Sequence, residues 1–235
     1  MIRAALAAAA LLAPATASAQ ALSCTVPQRV PIPRADGPTA SQPRRAVPIG
    51  GYKLALTWGP QFCRDSTNQA SARFQCSGGN RFGFTLHGLW PDGRGEAWPQ
   101  YCAPAPILSP AEIRANLCTT PSPQLLQHEY AKHGTCMGVS AAAYFSRARG
   151  LFGRLRMPDM DALSRRSGLT ARGFATAFAR ANPGMTPDMM RITATRGWLD
   201  ELWLCLDTRF QATRCPAHQA SLAPSTPLQI WRGGR

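Results

Sequence analysis

Lysine is nearly missing from this strongly basic chain. Of its 26 Lys and Arg residues only Lys53 and Lys132 are lysine, and 12 Asp and Glu leave a formal charge of +14 at pH 7. So few acidic groups cannot neutralise the arginines, and the excess fits a partner made of phosphates. Histidine is scarce too, at four in 235 residues. No segment reaches the roughly 18 uninterrupted apolar residues that a membrane span requires, so no membrane association is expected. No two cysteines stand two to four residues apart, which excludes the usual spacing of a structural zinc site. No Gly-x-Ser-x-Gly elbow supports a serine hydrolase, and no internal repeat supports a solenoid.

What is present begins with Met1-Ile2-Arg3, the apolar run Ala4 to Leu12 and the small residues Ala17-Ser18-Ala19. Residues 1–20 therefore read as a secretory signal peptide, and the protein is expected to be exported, periplasmic or extracellular. All eight cysteines, Cys24, Cys63, Cys76, Cys102, Cys118, Cys136, Cys205 and Cys215, follow that segment. An even count in an exported chain implies disulfides. Spacing leaves their connectivity open, although Cys63 to Cys76 and Cys205 to Cys215 fit local staples. Residues 21–50, rich in Pro and Arg, read as an extended arm rather than a packed element. Residues 51–235 are long enough for one core and one domain.

Period-two alternation predicts a strand over Tyr52 to Trp58, with Leu54, Leu56 and Trp58 on one face. Arg81 to His87 alternates likewise, which places His87 at a strand end, facing away from the core, immediately before Gly88. Ser122 as a cap, Pro123 in the first turn and Gly134 beyond the end predict a helix from 123 to about 133. On that helix His128, Glu129, Lys132 and His133 fall within an arc of about 140°. Further helices are expected at Ala141 to Phe152 and Thr170 to Ala181, a buried strand at Trp198 to Asp207, and a tail or edge from Pro224 to Arg235.

Three of the four histidines and one of the two lysines thus lie in Leu86-His87-Gly88-Leu89-Trp90-Pro91 and in His128-Glu129-Tyr130-Ala131-Lys132-His133-Gly134-Thr135-Cys136. His128 and His133 are five apart, with Lys132 where a second zinc ligand would stand, so the His-Glu-x-x-His reading fails. No metal or cofactor is expected. Two imidazoles on separate elements beside a Lys and a Glu suit RNA cleavage: one removes the ribose 2′-hydroxyl proton, the other protonates the leaving 5′-oxygen, and cations stabilise the phosphorane-like charge. On the residues alone Trp90 also fits a core position, and Asp92 a turn. His218 reads as a surface histidine.

These two segments resemble the paired active-site motifs of the ribonuclease T2 family, and a looser resemblance runs from Leu54-Ala55-Leu56-Thr57-Trp58 to Cys215-Pro216. The resemblance implies an α+β fold, a single domain with a central twisted, mainly antiparallel sheet packed against several helices. It implies a metal-independent endoribonuclease acting on single-stranded RNA through a 2′,3′-cyclic phosphate, monomeric, with DNA as an uncleaved competitor. By motif position it makes His133 the general base and His87 the general acid of the first step. It makes His128 a phosphate-binding residue, and Glu129 with Lys132 the pair that stabilises the pentacovalent state. Trp90 takes the place of a base-stacking ring and Asp92 of a base-edge acceptor. Tyr130 replaces the tryptophan usual after His-Glu, and Gln124-Leu125-Leu126-Gln127 lacks the usual aromatic residue. The family pattern pairs Cys63 with Cys76, Cys102 with Cys136 and Cys205 with Cys215, leaving Cys24 for Cys118. The rival from another class is a basic RNA-binding or inhibitory protein without turnover. A binder needs cations but not two titratable imidazoles.

Overall fold

The computed structural model describes residues 21–66, 69–77 and 79–233, so the expected signal peptide at 1–20 lies outside the described residues. A four-stranded antiparallel sheet forms the centre, built from β2 (Ile49–Trp58), β4 (Phe84–Gly93), β5 (Met190–Thr195) and β6 (Trp198–Leu206) in the order β4-β2-β6-β5. Two short strands, β1 (Ala21–Ser23) and β3 (Arg81–Phe82), pair separately. Leu54, Leu56, Phe84, Leu86, Leu202 and Leu204 are buried on one face of the large sheet. Helices α5 (Ala141–Gly153) and α7 (Ala171–Ala181) cover that face, with the Phe174 ring 6.4 Å from Phe84. Burial of several such side chains, each worth about 1.5–3 kcal/mol, fixes the register, because a slip of one residue would turn the leucines outward. Lys53, Thr57, Glu201 and Trp203 stay partly exposed on the opposite face.

The predicted helices form where their caps stand. Ser122 Oγ accepts from Leu125 N at 3.2 Å and starts α4 (Pro123–Lys132), with His133 as its C-cap. Gly134 is needed just beyond: a Cβ there would lie 2.4 Å from Tyr130 Cδ2. Ser140 caps α5 and Thr170 caps α7 in the same way. Ser109 and Glu112 close a reciprocal capping box on α3 (Pro110–Asn116). Three shorter helices are α1 (Gly59–Asp65), α2 (Arg73–Cys76) and α6 (Met160–Ser164). Among the described residues no helix is long and apolar enough to cross a membrane.

One of these expectations needs correction. The arm at 21–50 is not loose. Its prolines keep it extended, but its backbone is used by the folded domain: Arg34 N donates to Gln124 Oε1 at 2.9 Å, and Arg45 forms an antiparallel bridge with Gln100. Cys24 is joined to Cys118. The stretch from Pro224, expected as tail or edge, lies along the sheet as edge structure, with Gln229 bridged to Trp198, Leu199 N bonded to Gln229 O, and Leu228 and Ile230 buried at 3% and 4% exposure. Three further disulfides join Cys63 to Cys76, Cys102 to Cys136 and Cys205 to Cys215. Four disulfides fit an exported protein.

Candidate active site

His87 owes its position to an irregularity in β4. Ala55 pairs with Gly88 and Leu56 with Leu86, so His87 has no partner on β2 and forms a bulge. The extra residue shifts the alternation by one. Leu86 and Leu89 both face the core, at 2% and 0% exposure, while His87 and then Trp90 fall on the polar face. The strand therefore does not end at His87, as its alternation implied, but runs on to Gly93. The outer edge of β4 is held by loop and helix groups: Leu86 N donates to Thr119 O, and the Tyr144 hydroxyl both accepts from Leu89 N and donates to Leu89 O.

Helix α4 lies beyond that edge and brings the second motif to the first. Trp90 Nε1 donates to Glu129 Oε2 at 2.7 Å, and Glu129 Oε1 lies 3.5 Å from His87 Nε2. This approach depends on Gly88, where a Cβ would meet Glu129 Oε2 at 1.8 Å. The Trp90 ring is stacked on His133 at a centroid distance of 5.5 Å and meets His87 edge-on at 5.0 Å. The two imidazoles thus flank a single tryptophan. Tyr130 turns to the core instead, its hydroxyl on Val139 O.

Their electrostatic settings are opposite. Burial opposes a charge on His87, but the Glu201 hydrogen bond and the charges of Glu129 and Glu201 outweigh it and push the pKa up to about 9. His133 is held well below the ordinary histidine value by burial and by the cationic groups Lys132, His128, His87 and Lys53. Its Nδ1 is buried without a hydrogen-bond partner, so a charged ring would carry an unsatisfied N–H. Burial raises the pKa of Glu129 despite the neighbouring cations and the Trp90 hydrogen bond.

Sequence reasoning missed two carboxylates. Glu201 Oε1 lies 2.6 Å from His87 Nδ1. Asp36, from the arm, places Oδ2 3.1 Å from His128 Nδ1 and accepts the Tyr101 hydroxyl on Oδ1 at 3.0 Å. Tyr101 takes a left-handed backbone, φ 50°, and its N–H reaches Lys132 O at the end of α4. The signal for Asp36 is that it is the one acidic residue between 21 and 50. For Glu201 it is a charge on the strand face opposite Leu202, Leu204 and Leu206.

The structure brings His87, Glu129 and His133 around Trp90, with His128 and Lys132 partly exposed on the same helix. Trp90, partly exposed, meets His87, His133 and Trp203, whose ring centroid is 5.4 Å away. Asp92, 7% exposed, is engaged by Lys53 at 3.3 Å and by Gln219. Of the arginines that follow α4, Arg149 is bound to Asn116 and Arg147 lies over the Phe210 ring. His218 is exposed and outside the site.

The sequence profile of the Ribonuclease T2 family matches residues 50–215. A probable ribonuclease from Haemophilus influenzae is 31% identical over 180 residues, covering 72% of this chain and 62% of the relative. The chain thus spans less than two thirds of that relative's length. A ribonuclease from Aeromonas hydrophila is 33% identical over 163 residues, covering 66% of this chain and 71% of its own. Among solved structures, ribonuclease NT in complex with 5′-AMP superposes with a TM-score of 0.59 at 19% identity, over 78% of this chain and 98% of the other.

Proposed function

Because this chain belongs to the ribonuclease T2 family, we propose that it is an exported, metal-independent endoribonuclease that cleaves single-stranded RNA in two steps. In the first, His133 takes the proton of a ribose 2′-hydroxyl, the 2′-oxygen attacks the adjacent phosphorus, and the bond from phosphorus to the 5′-oxygen breaks. His87 gives its proton to that departing oxygen. The product is a 2′,3′-cyclic phosphate, which water opens to a 3′-phosphate with the two imidazoles in exchanged roles.

One observation carries the reading: two imidazoles flank one tryptophan, one held charged and the other neutral. A step that needs a base and an acid together at neutral pH calls for that pairing. Lys132 supplies positive charge and His128 a ring N–H for the phosphate oxygens, and Glu129, tied to Trp90 Nε1, lies beside His87. Trp90 acts here by holding Glu129 in place. Asp92 acts by holding Lys53. The attacking nucleophile comes from the substrate, whose 2′-oxygen is already beside the phosphorus. DNA lacks that group and is expected to bind as an uncleaved, salt-sensitive competitor.

Digestion of RNA in EDTA, followed by mass spectrometry of early fragments, tests the proposal. Ends carrying 2′,3′-cyclic phosphate should come first and 3′-phosphates later, with DNA intact. Direct 5′-phosphate ends, DNA cleavage or loss of activity on chelation would contradict it.

A further inference from the structure

We propose that Glu201 is the positioning residue of this site: it fixes the His87 ring with Nδ1 turned inward and Nε2 turned to the substrate, and it keeps the ring charged between turnovers. The inference rests on the reading of His87 as the acid and names what makes it one.

Glu201 stands on β6, two strands away from His87, with β2 between them. It faces Thr57 across the β2 and β6 pairing, and the bulge in β4 turns His87 onto the same face. Three donors converge on its carboxylate. Thr57 Oγ1 donates to Oε1 at 2.8 Å, Trp203 Nε1 donates to Oε2 at 2.8 Å, and His87 Nδ1 lies 2.6 Å from Oε1. The side chain is only 14% exposed. A hydroxyl and an indole N–H fix the carboxylate in place before the histidine is considered, so the His87 Nδ1–H finds its acceptor already aimed. An ionised acceptor served by three donors is also stable in that state, and the hydrogen bonds to His87, Trp203 and Thr57 hold the Glu201 pKa below its ordinary value against burial.

The consequence for the ring is directional. With its proton on Nδ1 committed to Glu201, the nitrogen that can deliver a proton is Nε2, the one turned toward Glu129 on α4. Glu129 alone would leave the ring free to rotate or change tautomer. The charged and titratable groups around His87 are Glu129, Lys132 and His133 from α4 and its C-cap, and Glu201 with Asp200 from β6. From β2 the neutral Thr57 meets the carboxylate. Of these, Glu201 alone bonds Nδ1 directly.

The test compares the wild type with Glu201→Gln and Glu201→Asp, using ¹⁵N-histidine NMR to titrate the His87 ring and the pH profile of cleavage of a dinucleotide substrate. The glutamine variant is nearly isosteric, and circular dichroism establishes that it folds. The expected result is a His87 midpoint that falls from about 9 by about 1–3 pH units in Glu201→Gln, as loss of a bonded opposite charge requires. The basic limb of kcat should move with it, kcat should fall more than about tenfold, and KM should change little. Glu201→Asp keeps the charge but shortens the reach, so the midpoint should stay raised while kcat falls. A His87 midpoint unchanged in folded Glu201→Gln overturns the proposal. So does a wild-type ring that titrates near its ordinary value, an outcome that needs no variant. If the midpoint falls but the pH profile of cleavage does not follow, the pairing stands and the assignment of His87 as the acid fails.

Discussion

The sheet side and the helix side of this site treat the same side chain in opposite ways. His87 sits on a bulged strand with a carboxylate at each ring nitrogen, Glu201 at 2.6 Å and Glu129 at 3.5 Å. His133 closes a helix among cations, and its buried Nδ1 has no partner. One environment favours the imidazolium and the other the neutral ring. The difference arises from neighbours, because burial opposes charge on both. A fold can therefore hold one imidazole charged and another neutral by supplying carboxylates to one and withholding them from the other.

Removing either member should have the largest effect. His87→Ala and His133→Ala are each expected to lower turnover by about 10²–10⁴-fold, the usual worth of a positioned acid or base, with RNA affinity largely kept. Steady-state kinetics on folded variants checks this, and near-normal turnover in either one removes that histidine from the mechanism. The double variant should fall little below the worse single variant, because the two act in one step.

A smaller break should come from Gly88→Ala. The added methyl would have to occupy space 1.8 Å from Glu129 Oε2 and 2.7 Å from Trp90 Nε1, so the link between the two sides must open. A displacement on the order of 1 Å at a reacting group can cost about 10²-fold. The expected outcome is a kcat loss approaching that size with an unchanged circular dichroism spectrum. Full activity would mean that the Glu129 approach to His87 is not needed.

The smallest expected effect is on stability, and its sign differs between the two sides. His87 titrates near 9 in the folded chain against 6.5 ordinarily, so its contribution is complete below about 6.5 and is lost as pH rises toward 9. His133 is shifted the other way. Below 6.5 the unfolded chain takes up a proton that the folded chain refuses, so stability falls as the medium is acidified. Thermal melts of His87→Gln against wild type should converge or cross between pH 6.5 and 9. Those of His133→Gln should separate from wild type below 6.5. Water reaching the exposed 30% of the His87 side chain will blunt the first effect.

Much of this was legible in the sequence, and the illegible part has a physical cause. Ser122, Pro123 and Gly134 mark α4 because caps and turns are local chemistry. The alternation of Leu54, Leu56 and Trp58 marks β2 because one face is buried. The bulge at His87 is not local: it depends on how β4 pairs with β2, and it shifted Trp90 from an apparent core position onto the polar face. Glu201 was missed for a related reason, since its meeting with His87 is set by the register of β6 on β2. Asp36 was missed because a proline-rich arm gives no periodicity to read, although the Cys24 to Cys118 bridge ties the arm to the end of α3 and Gln124 ties it to α4. The two motifs contain His87 and His128 but not Glu201 and Asp36, the carboxylates paired with them.

The most direct test of the comparison is ¹⁵N NMR of the histidine rings in the wild-type protein near pH 7.5, where ring-nitrogen shifts report protonation at each site. The account predicts that His87 is doubly protonated, with its titration centred at about 9, while His133 is a neutral ring that takes up a proton only well below 6.5. Two rings with the same charge at that pH, or midpoints that coincide, would contradict it.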